Sequence, residues 1–359
     1  MRRAIAVAAA ALGIPNPNPA VGAVVLDAAG DIAGEGATTA IGGPHAEVVA
    51  LAAAGERSRG GTLVVTLEPC DHQGRTGPCT AAITAAGVAR VVYAVDDPHG
   101  AAAGGATRLR AAGVAVEGGI LAAEAGADLG PWLVAASERR PHVTWKYAAT
   151  LDGRTAAVDG TSKWITGPGA RRDVQGVRAR SDAVIVGIGT VLADDPSLTV
   201  RDLDIGRQPL RVVVDSGART PQTSKVLDGT APTLVVHATD APRDRVAALA
   251  DTPAELVALP RTDYGVDLAA LMHTLYERER YLLLLEGGAR LAAGFLAAGL
   301  VDRVMAYLAP ALLGGGTPVV GDLGISTIDD AMRLRLGAAD LTYIDGDIRI
   351  VADVDRTGG

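Results

Sequence analysis

A chain of 359 residues exceeds what one hydrophobic core usually serves, so two domains with separate cores are expected. A net charge of −8 argues against a nucleic-acid binder, because phosphate contacts need clustered Lys and Arg; small molecules are the expected partners. Only two cysteines are present and no segment reaches the roughly 18 apolar residues of a membrane span, so a cytoplasmic protein with reduced thiols is expected, not a disulfide scaffold or a membrane protein.

Met1-Arg2-Arg3 before "AIAVAAAALG" has the order of a signal peptide, but the run is mostly alanine and leads straight into "PNPNPAVGAVVLD". It reads better as a first helix, Arg3 to Leu12. A β-hairpin follows in "AVGAVVLDAAGDIAGEGA", then a helix opening at "PHAEVVALAAAG" and a strand "GTLVVTLEP". A helix "CTAAITAAGV", a strand "ARVVYAVDD", a helix "GATRLRAAG" and a strand "VAVEGG" complete a three-layer α/β pattern, closed by a linking helix around Leu121 to Ala136. At "SERRPHVTWKYAAT" charges give way to a new strand at Pro141, which predicts domains at 1–140 and 141–359. The second half is a second α/β domain: "SDAVIVGIGT", "PLRVVVDS", "APTLVVHA", "RYLLLLEGG", "VMAYLAP" and "DIRIVADV" have the length of buried strands.

Both cysteines lie in "LEPCDHQGRTGPC". With His45 of "GPHAEVVA", Cys70 and Cys79 supply three zinc ligands and leave the fourth tetrahedral position open, as a catalytic site requires. Pro44 and the alanine-rich run put His45 and Glu47 in the first turn of a helix, and Cys79 lies at the mouth of another, where thiolates are favoured. Glu47 is placed to take a proton from zinc-activated water and pass it to a leaving amine, the H-x-E…P-C…C pattern of zinc deaminases. The competing reading makes His45 a surface residue and the cysteines buried filler. Base-editing and tRNA deaminases carry P-C-x-x-C, whereas eight residues separate these cysteines, and the enlarged turn offers His72, Arg75 and Thr76 to an anionic, phosphorylated substrate.

"PNPAVGAVV", "GGPHAEVVAL", "VTLEPCDHQGRTGPC", "ATLDGRTA", "SKWITG", "RRDVQGVRARSDAVIVGIGTVLADDPSLTVR" and "EGGARLAAGFLAAGLVDRV" together resemble, in order, the bifunctional riboflavin-biosynthesis deaminase/reductases. The resemblance implies an N-terminal cytidine-deaminase-like three-layer αβα domain and a C-terminal dihydrofolate-reductase-like α/β domain. It implies one zinc per chain, NADPH, and two reactions: hydrolytic deamination of a diaminopyrimidinone ribosylamine phosphate, then reduction of the ribosyl group to ribityl. In the first domain Asn18, His72 and Arg75 are the expected substrate contacts. Thr38 stands where the family usually has histidine, Asp97-Pro98-His99-Gly100 replaces "DPNP", and Gly77 replaces a common proline; these departures bear on the pocket, not on the metal.

In the second half the residues alone say less. "LLLLEGGARLAAG" reads as a buried strand, Gly287-Gly288 and a helix whose N-terminus can hold a phosphate, or simply as a tight turn; G-x-G-x-x-G is absent. From turn chemistry alone Asp194-Asp195 before Pro196 reads first as a solvated turn, and Lys146 suits a strand edge as readily as a contact to a ribose hydroxyl. The resemblance implies NADPH contacts at Ala148, Trp164, Thr190, Asp194, Ser216 and the loop Gly288, Ala289, Arg290, Leu291, Ala292, Ala293 and Gly294. It implies substrate contacts at Ser162, Arg178, Leu198, Arg201 and Glu286. Their chemistry fits, since Arg178 and Arg201 are suited to clamp a phosphate and Lys146 to hold a ribose hydroxyl. A homo-oligomer through the reductase domain stays open, and physics alone does not choose NADPH over NADH. Two rivals remain: a nucleoside or tRNA deaminase with an appended domain, and a non-catalytic protein braced by zinc, which Glu47 argues against.

Overall fold

The computed structural model describes residues 1–74, 76–98, 104–263, 265–337 and 340–355, in two compact units, Met1–Arg140 and Pro141–Gly359.

The first unit runs α1 (Arg2–Ala10), β1 (Gly22–Leu26), β2 (Ile32–Ala37), α2 (Ala46–Ala54), β3 (Thr62–Leu67), α3 (Cys79–Ala85), β4 (Arg90–Val95), α4 (Gly105–Ala111), β5 (Ala115–Glu117) and α5 (Ala122–Glu138). Its five-stranded sheet has the order β2-β1-β3-β4-β5. β1 is antiparallel to β2 and β3, and β3, β4 and β5 are parallel. The period-2 alternation of strand side chains sorts the core. Ala23, Val25, Leu63, Val65 and Val91 pack with Ala50 of α2 and Ile83 of α3, while Val24, Val64 and Val92 face Ala4 of α1. Gly34 and Gly36 of β2 both meet α2: a Cβ would lie 2.4 Å from the Ala50 oxygen at Gly34 and 2.5 Å from the Ala50 nitrogen at Gly36. Having no side chain there lets α2 lie directly on the strand, which fixes the helix whose first turn carries Glu47.

The second unit opens with β6 (His142–Thr150), β7 (Arg154–Ala156), α6 (Pro168–Arg180), β8 (Ala183–Gly187), α7 (Ile188–Asp194), β9 (Leu210–Val214), β10 (Thr233–Ala238), α8 (Arg243–Ala250) and β11 (Glu255–Leu259). It continues with β12 (Arg261–Thr262), β13 (Gly265–Val266), α9 (Leu268–Glu277), β14 (Leu282–Leu285), α10 (Ala289–Ala297), β15 (Arg303–Ala309), β16 (Thr317–Pro318), β17 (Leu334–Arg335), β18 (Leu341–Ile344) and β19 (Asp347–Val354). The main sheet has the order β11-β10-β9-β8-β14-β6-β15-β19-β17, with β18 on β19. Its strands from β11 to β15 are parallel and covered on both faces. Ala183, Ile185, Val212 and Leu285 bury on one face and Val184, Val186, Val213 and Leu284 on the other, which is why these strands read as unbroken apolar runs.

Two expectations need correction. The strand ends at Gly187 and "IGT" does not extend it: α7 begins at Ile188, so Thr190 is helical. Lys146 is not at a strand edge, because β6 is flanked by β14 and β15. The connections set up a crevice: β8 leads through α7 outward to β9, whereas its neighbour β14 leads through α10 to β15, beyond β6. Chains leaving adjacent parallel strands in opposite directions open a ligand crevice at their carboxyl ends.

Candidate functional site

His45 is the N-cap of α2, with φ −71° and ψ 162°, and Glu47 lies in that helix's first turn. Cys70 follows β3, the central strand, and Cys79 opens α3, which brings both thiols beside the start of α2. The donor atoms of His45, Cys70 and Cys79 lie within 4.8 Å of one another. His45 Nδ1 is 3.3 Å from Cys79 Sγ and 3.6 Å from Cys70 Sγ. Tetrahedral zinc, with ligand bonds of about 2.0 to 2.3 Å, sets ligand-to-ligand distances of about 3.5 Å, so the three atoms fit the ion. Thr76 Oγ1 lies 3.3 Å from the other ring nitrogen, Nε2, so Nδ1 is the metal-facing atom.

Glu47 is 4% exposed, and burial pushes its carboxyl up to about 7, with the neighbouring Cys70 thiolate adding to the rise. A hydrogen bond from Cys79 holds the Cys70 thiol low, while the same bond and burial push Cys79 up. The hydrogen bond to Cys70 outweighs burial at His45 and raises it. A divalent cation bound there would reverse this sharing, since it favours two thiolates and an ionised carboxylate.

The loop that bears the cysteines is braced by residues whose roles the sequence does not announce. Glu68, 8% exposed, accepts from Ala106 N at 2.8 Å and Asp97 N at 3.3 Å, tying β3 to the start of α4. Thr80 donates through Oγ1 to Asp71 Oδ1 at 2.5 Å and through its backbone N–H to the Cys70 oxygen at 3.3 Å. Asn18 and His72 are half-buried, and His72 Nδ1 is a buried atom with no hydrogen-bond partner among the described residues. Thr38 is buried and accepts from Val21 N at 3.2 Å, bracing the start of β1. Gly77 is exposed, and Arg75, His99 and Gly100 lie outside the described residues.

In the second unit, Gly187 caps α7 and Gly288 caps α10, side by side at the ends of β8 and β14. A Cβ on Gly288 would lie 3.7 Å from Thr190 Oγ1, so the two expected cofactor segments meet across the crevice. Lys163 Nζ, 3.4 Å from Asp194 Oδ1, brings the "SKW" loop to the end of α7. Trp164 is 69% exposed, with the Arg171 guanidinium 4.4 Å from its ring centroid. Ser216 follows β9 and Ala148 lies on β6, both half-buried; Ala289 and Arg290 open α10, whereas Leu291, Ala292, Ala293 and Gly294 are buried.

Arg178 Nε and Nη2 donate to the two Glu286 oxygens at 2.7 and 2.9 Å, and Nη1 donates to the Thr199 oxygen at 3.3 Å. That grip occupies the carboxylate-facing edge of Arg178, whereas the side chain of Arg201, the other arginine expected at the phosphate, is exposed. Burial raises Glu286, but Arg178 and then Lys146 outweigh it and hold the carboxyl down at about 2. Burial lowers Lys146, against the opposing pull of Glu286, and its Nζ sits 5.6 Å over the Tyr307 ring. Ser162 is half-buried; Leu198 is 2% exposed and held at φ 55°. Arg211, fully buried inside an apolar run, was not legible as a brace. It donates to Thr233 Oγ1, Asp228 Oδ1 and the carbonyls of Ser197, Lys225 and Ala231.

A three-ligand zinc site beside a buried carboxylate is the apparatus of hydrolytic deaminases, and the crevice of the second unit is that of a nucleotide-using α/β enzyme. The class is a deaminase fused to a cofactor-dependent enzyme. Residues 1–95 match the cytidine and deoxycytidylate deaminase zinc-binding region, and residues 141–348 match the RibD C-terminal domain. The chain is 46% identical over 333 residues to the riboflavin biosynthesis protein RibD of Mycobacterium tuberculosis (strain CDC 1551 / Oshkosh), covering 91% of this chain and 89% of that one. It superposes on Acinetobacter baumannii RibD with a TM-score of 0.88 at 39% identity, over 99% of this chain and 98% of the other. A diaminohydroxyphosphoribosylaminopyrimidine deaminase/5-amino-6-(5-phosphoribosylamino)uracil reductase from Thermotoga maritima gives 0.86 at 34%, over 99% and 97%. The chain belongs to the RibD family, the bifunctional deaminase/reductases of riboflavin biosynthesis. Zinc serves its deaminase half and NADPH its reductase half.

Proposed function

We propose that residues 1–140 deaminate the diaminopyrimidinone ribosylamine phosphate and that residues 141–359 then reduce 5-amino-6-(5-phosphoribosylamino)uracil. The observation that carries the first half is Glu47, buried beside three converging metal ligands. His45 Nδ1, Cys70 Sγ and Cys79 Sγ hold the zinc, which when bound supplies polarisation of a water. Glu47 takes the water's proton and returns it to the departing amino group, so that a C–N bond is exchanged for a C–O bond and ammonia leaves. Asn18, His72 and Arg75 bind the substrate.

In the second half Trp164, Thr190, Asp194, Ser216, Ala148 and the 288–294 segment hold the dinucleotide, supported by two helix N-termini at a switch point. NADPH, when bound there, would supply the hydride for the ribosyl carbon. The protein's share is positioning: Arg201 on the phosphate, Ser162 and Leu198 along the substrate, and Lys146 with the Arg178–Glu286 pair at the sugar. Supplying the diaminopyrimidinone ribosylamine phosphate with NADPH tests this. Ammonia release followed by stoichiometric NADPH oxidation is expected, and ammonia release without oxidation removes the second half of the reading.

Reduced thiols suit a cytosolic enzyme working on small molecules. Self-association through the second unit fits Leu312, Ile328, Leu336, Leu341 and Tyr343, each 59% or more exposed. Light scattering at the mass of a single chain removes that proposal.

A further inference from the structure

The segment between α7 and β9 has almost no regular structure, yet side-chain hydrogen bonds, some from other elements and some from within the segment itself, tie it down. Asp195 Oδ1 accepts from Lys225 N at 2.9 Å, and Arg211 Nη1 reaches the Ser197 oxygen at 3.3 Å. Arg178 Nη1 takes the Thr199 oxygen at 3.3 Å. Gln208 grips both polar groups of Val200: its Oε1 accepts from Val200 N at 2.7 Å and its Nε2 donates to the Val200 oxygen at 3.1 Å. Gln175, one helical turn before Arg178 on α6 and 8% exposed, accepts from Arg201 N at 3.0 Å. Inside this frame Leu198 is left-handed, at φ 55°, a conformation that L side chains rarely adopt and that persists only where the surroundings over-determine it.

We propose that Gln175 and Gln208 form an amide clamp that fixes the backbone at Val200 and Arg201 and thereby aims the Arg201 guanidinium at the substrate phosphate. Both are positioning residues. The inference rests on the reading of Arg201 as the phosphate ligand. The physical reason is that an exposed arginine has several rotatable bonds, and a mobile backbone would add to the ordering cost of every phosphate it binds. Three hydrogen bonds from two amides remove the backbone share of that cost before substrate arrives.

The test is a double-substitution cycle on the full-length zinc-loaded protein. Reductase kinetics are measured with 5-amino-6-(5-phosphoribosylamino)uracil and with its dephosphorylated form. Gln175→Met and Gln208→Leu are each made alone and combined with Arg201→Ala. Each single variant should raise KM for the phosphorylated substrate about tenfold, the scale of one or two lost hydrogen bonds. KM for the dephosphorylated form, KM for NADPH and the rate of ammonia release should stay unchanged. In the Arg201→Ala background the same changes should add little. A full tenfold effect in that background, or an equal effect on the dephosphorylated form, overturns the clamp, since the glutamines would then act on the fold at large. If Arg201→Ala alone does not distinguish the two substrates, the assignment of Arg201 falls, and the clamp with it. Should Gln175→Met lose its circular dichroism, Gln208→Leu decides the question alone.

Discussion

At the scale of single residues, the duties proposed for Glu47 and for the three metal ligands are separable by mutation. Glu47→Gln keeps size and burial but removes the base, so the variant should retain about one zinc per chain and lose ammonia release by a factor of roughly 10² to 10⁴. Near-normal release from a zinc-replete variant would refute the assignment. Cys79→Ser should lose the metal itself, read by metal analysis after dialysis. Glu286 makes a pH prediction. Its carboxyl is held at about 2, below the ordinary 4.5, so the pairing stabilises the fold fully above about pH 4.5 and is lost as pH falls toward 2. The difference corresponds to roughly 3 kcal/mol. Arg178→Met leaves a buried carboxylate with only the Lys146 charge to balance it and should destabilise the second unit by up to about 3–5 kcal/mol at pH 7. The gap from the parent protein, measured by urea unfolding, should narrow at pH 3, where the carboxyl of the variant is neutral. A gap that is constant with pH removes the ion pair as its cause.

At the scale of elements, α4 matters to the metal loop through one atom it lacks. A Cβ on Gly105 would lie 1.7 Å from the Pro69 oxygen, one residue before Cys70. Gly105→Ala must move either the helix or the cysteine loop, and overpacking of this kind costs about 1–3 kcal/mol. The variant should melt earlier and hold zinc more weakly in a chelator competition; an unchanged zinc affinity would show that the helix, not the loop, had moved. Such contacts explain what the sequence conceals. The strands were legible because parallel sheets bury both faces and leave unbroken apolar runs such as "AVIVG" and "LLLL". The convergence of His45, Cys70 and Cys79 was legible because rare residue types with metal-ligand chemistry recur at a meaningful spacing. Gln175, Gln208 and Arg211 were not, since their partners, mostly backbone groups, lie 8 to 26 positions away and no local pattern encodes those pairings. Arg211 sits in "PLRVVVDS", where periodicity sees only a strand.

At the scale of the whole molecule, each compact unit has its own apolar core, and the residues assigned to the two chemistries fall one set in each. Units with independent cores tolerate distant changes separately, and effects at well-separated sites nearly add. Cys70→Ser protein should therefore release no ammonia from the diaminopyrimidinone substrate, yet oxidise NADPH normally when given 5-amino-6-(5-phosphoribosylamino)uracil. Arg201→Ala should do the reverse: normal ammonia release with a reductive step weakened by the loss of a charge-assisted phosphate contact, roughly 1.5 to 3 kcal/mol, or about 10- to 150-fold in kcat/KM. Mixing the two variants should restore the full conversion, because the deaminated intermediate made by one is a substrate for the intact reductase of the other. If each variant loses both activities while its circular dichroism is unchanged, the two reactions are not confined to separate units, and one shared site would have to carry both.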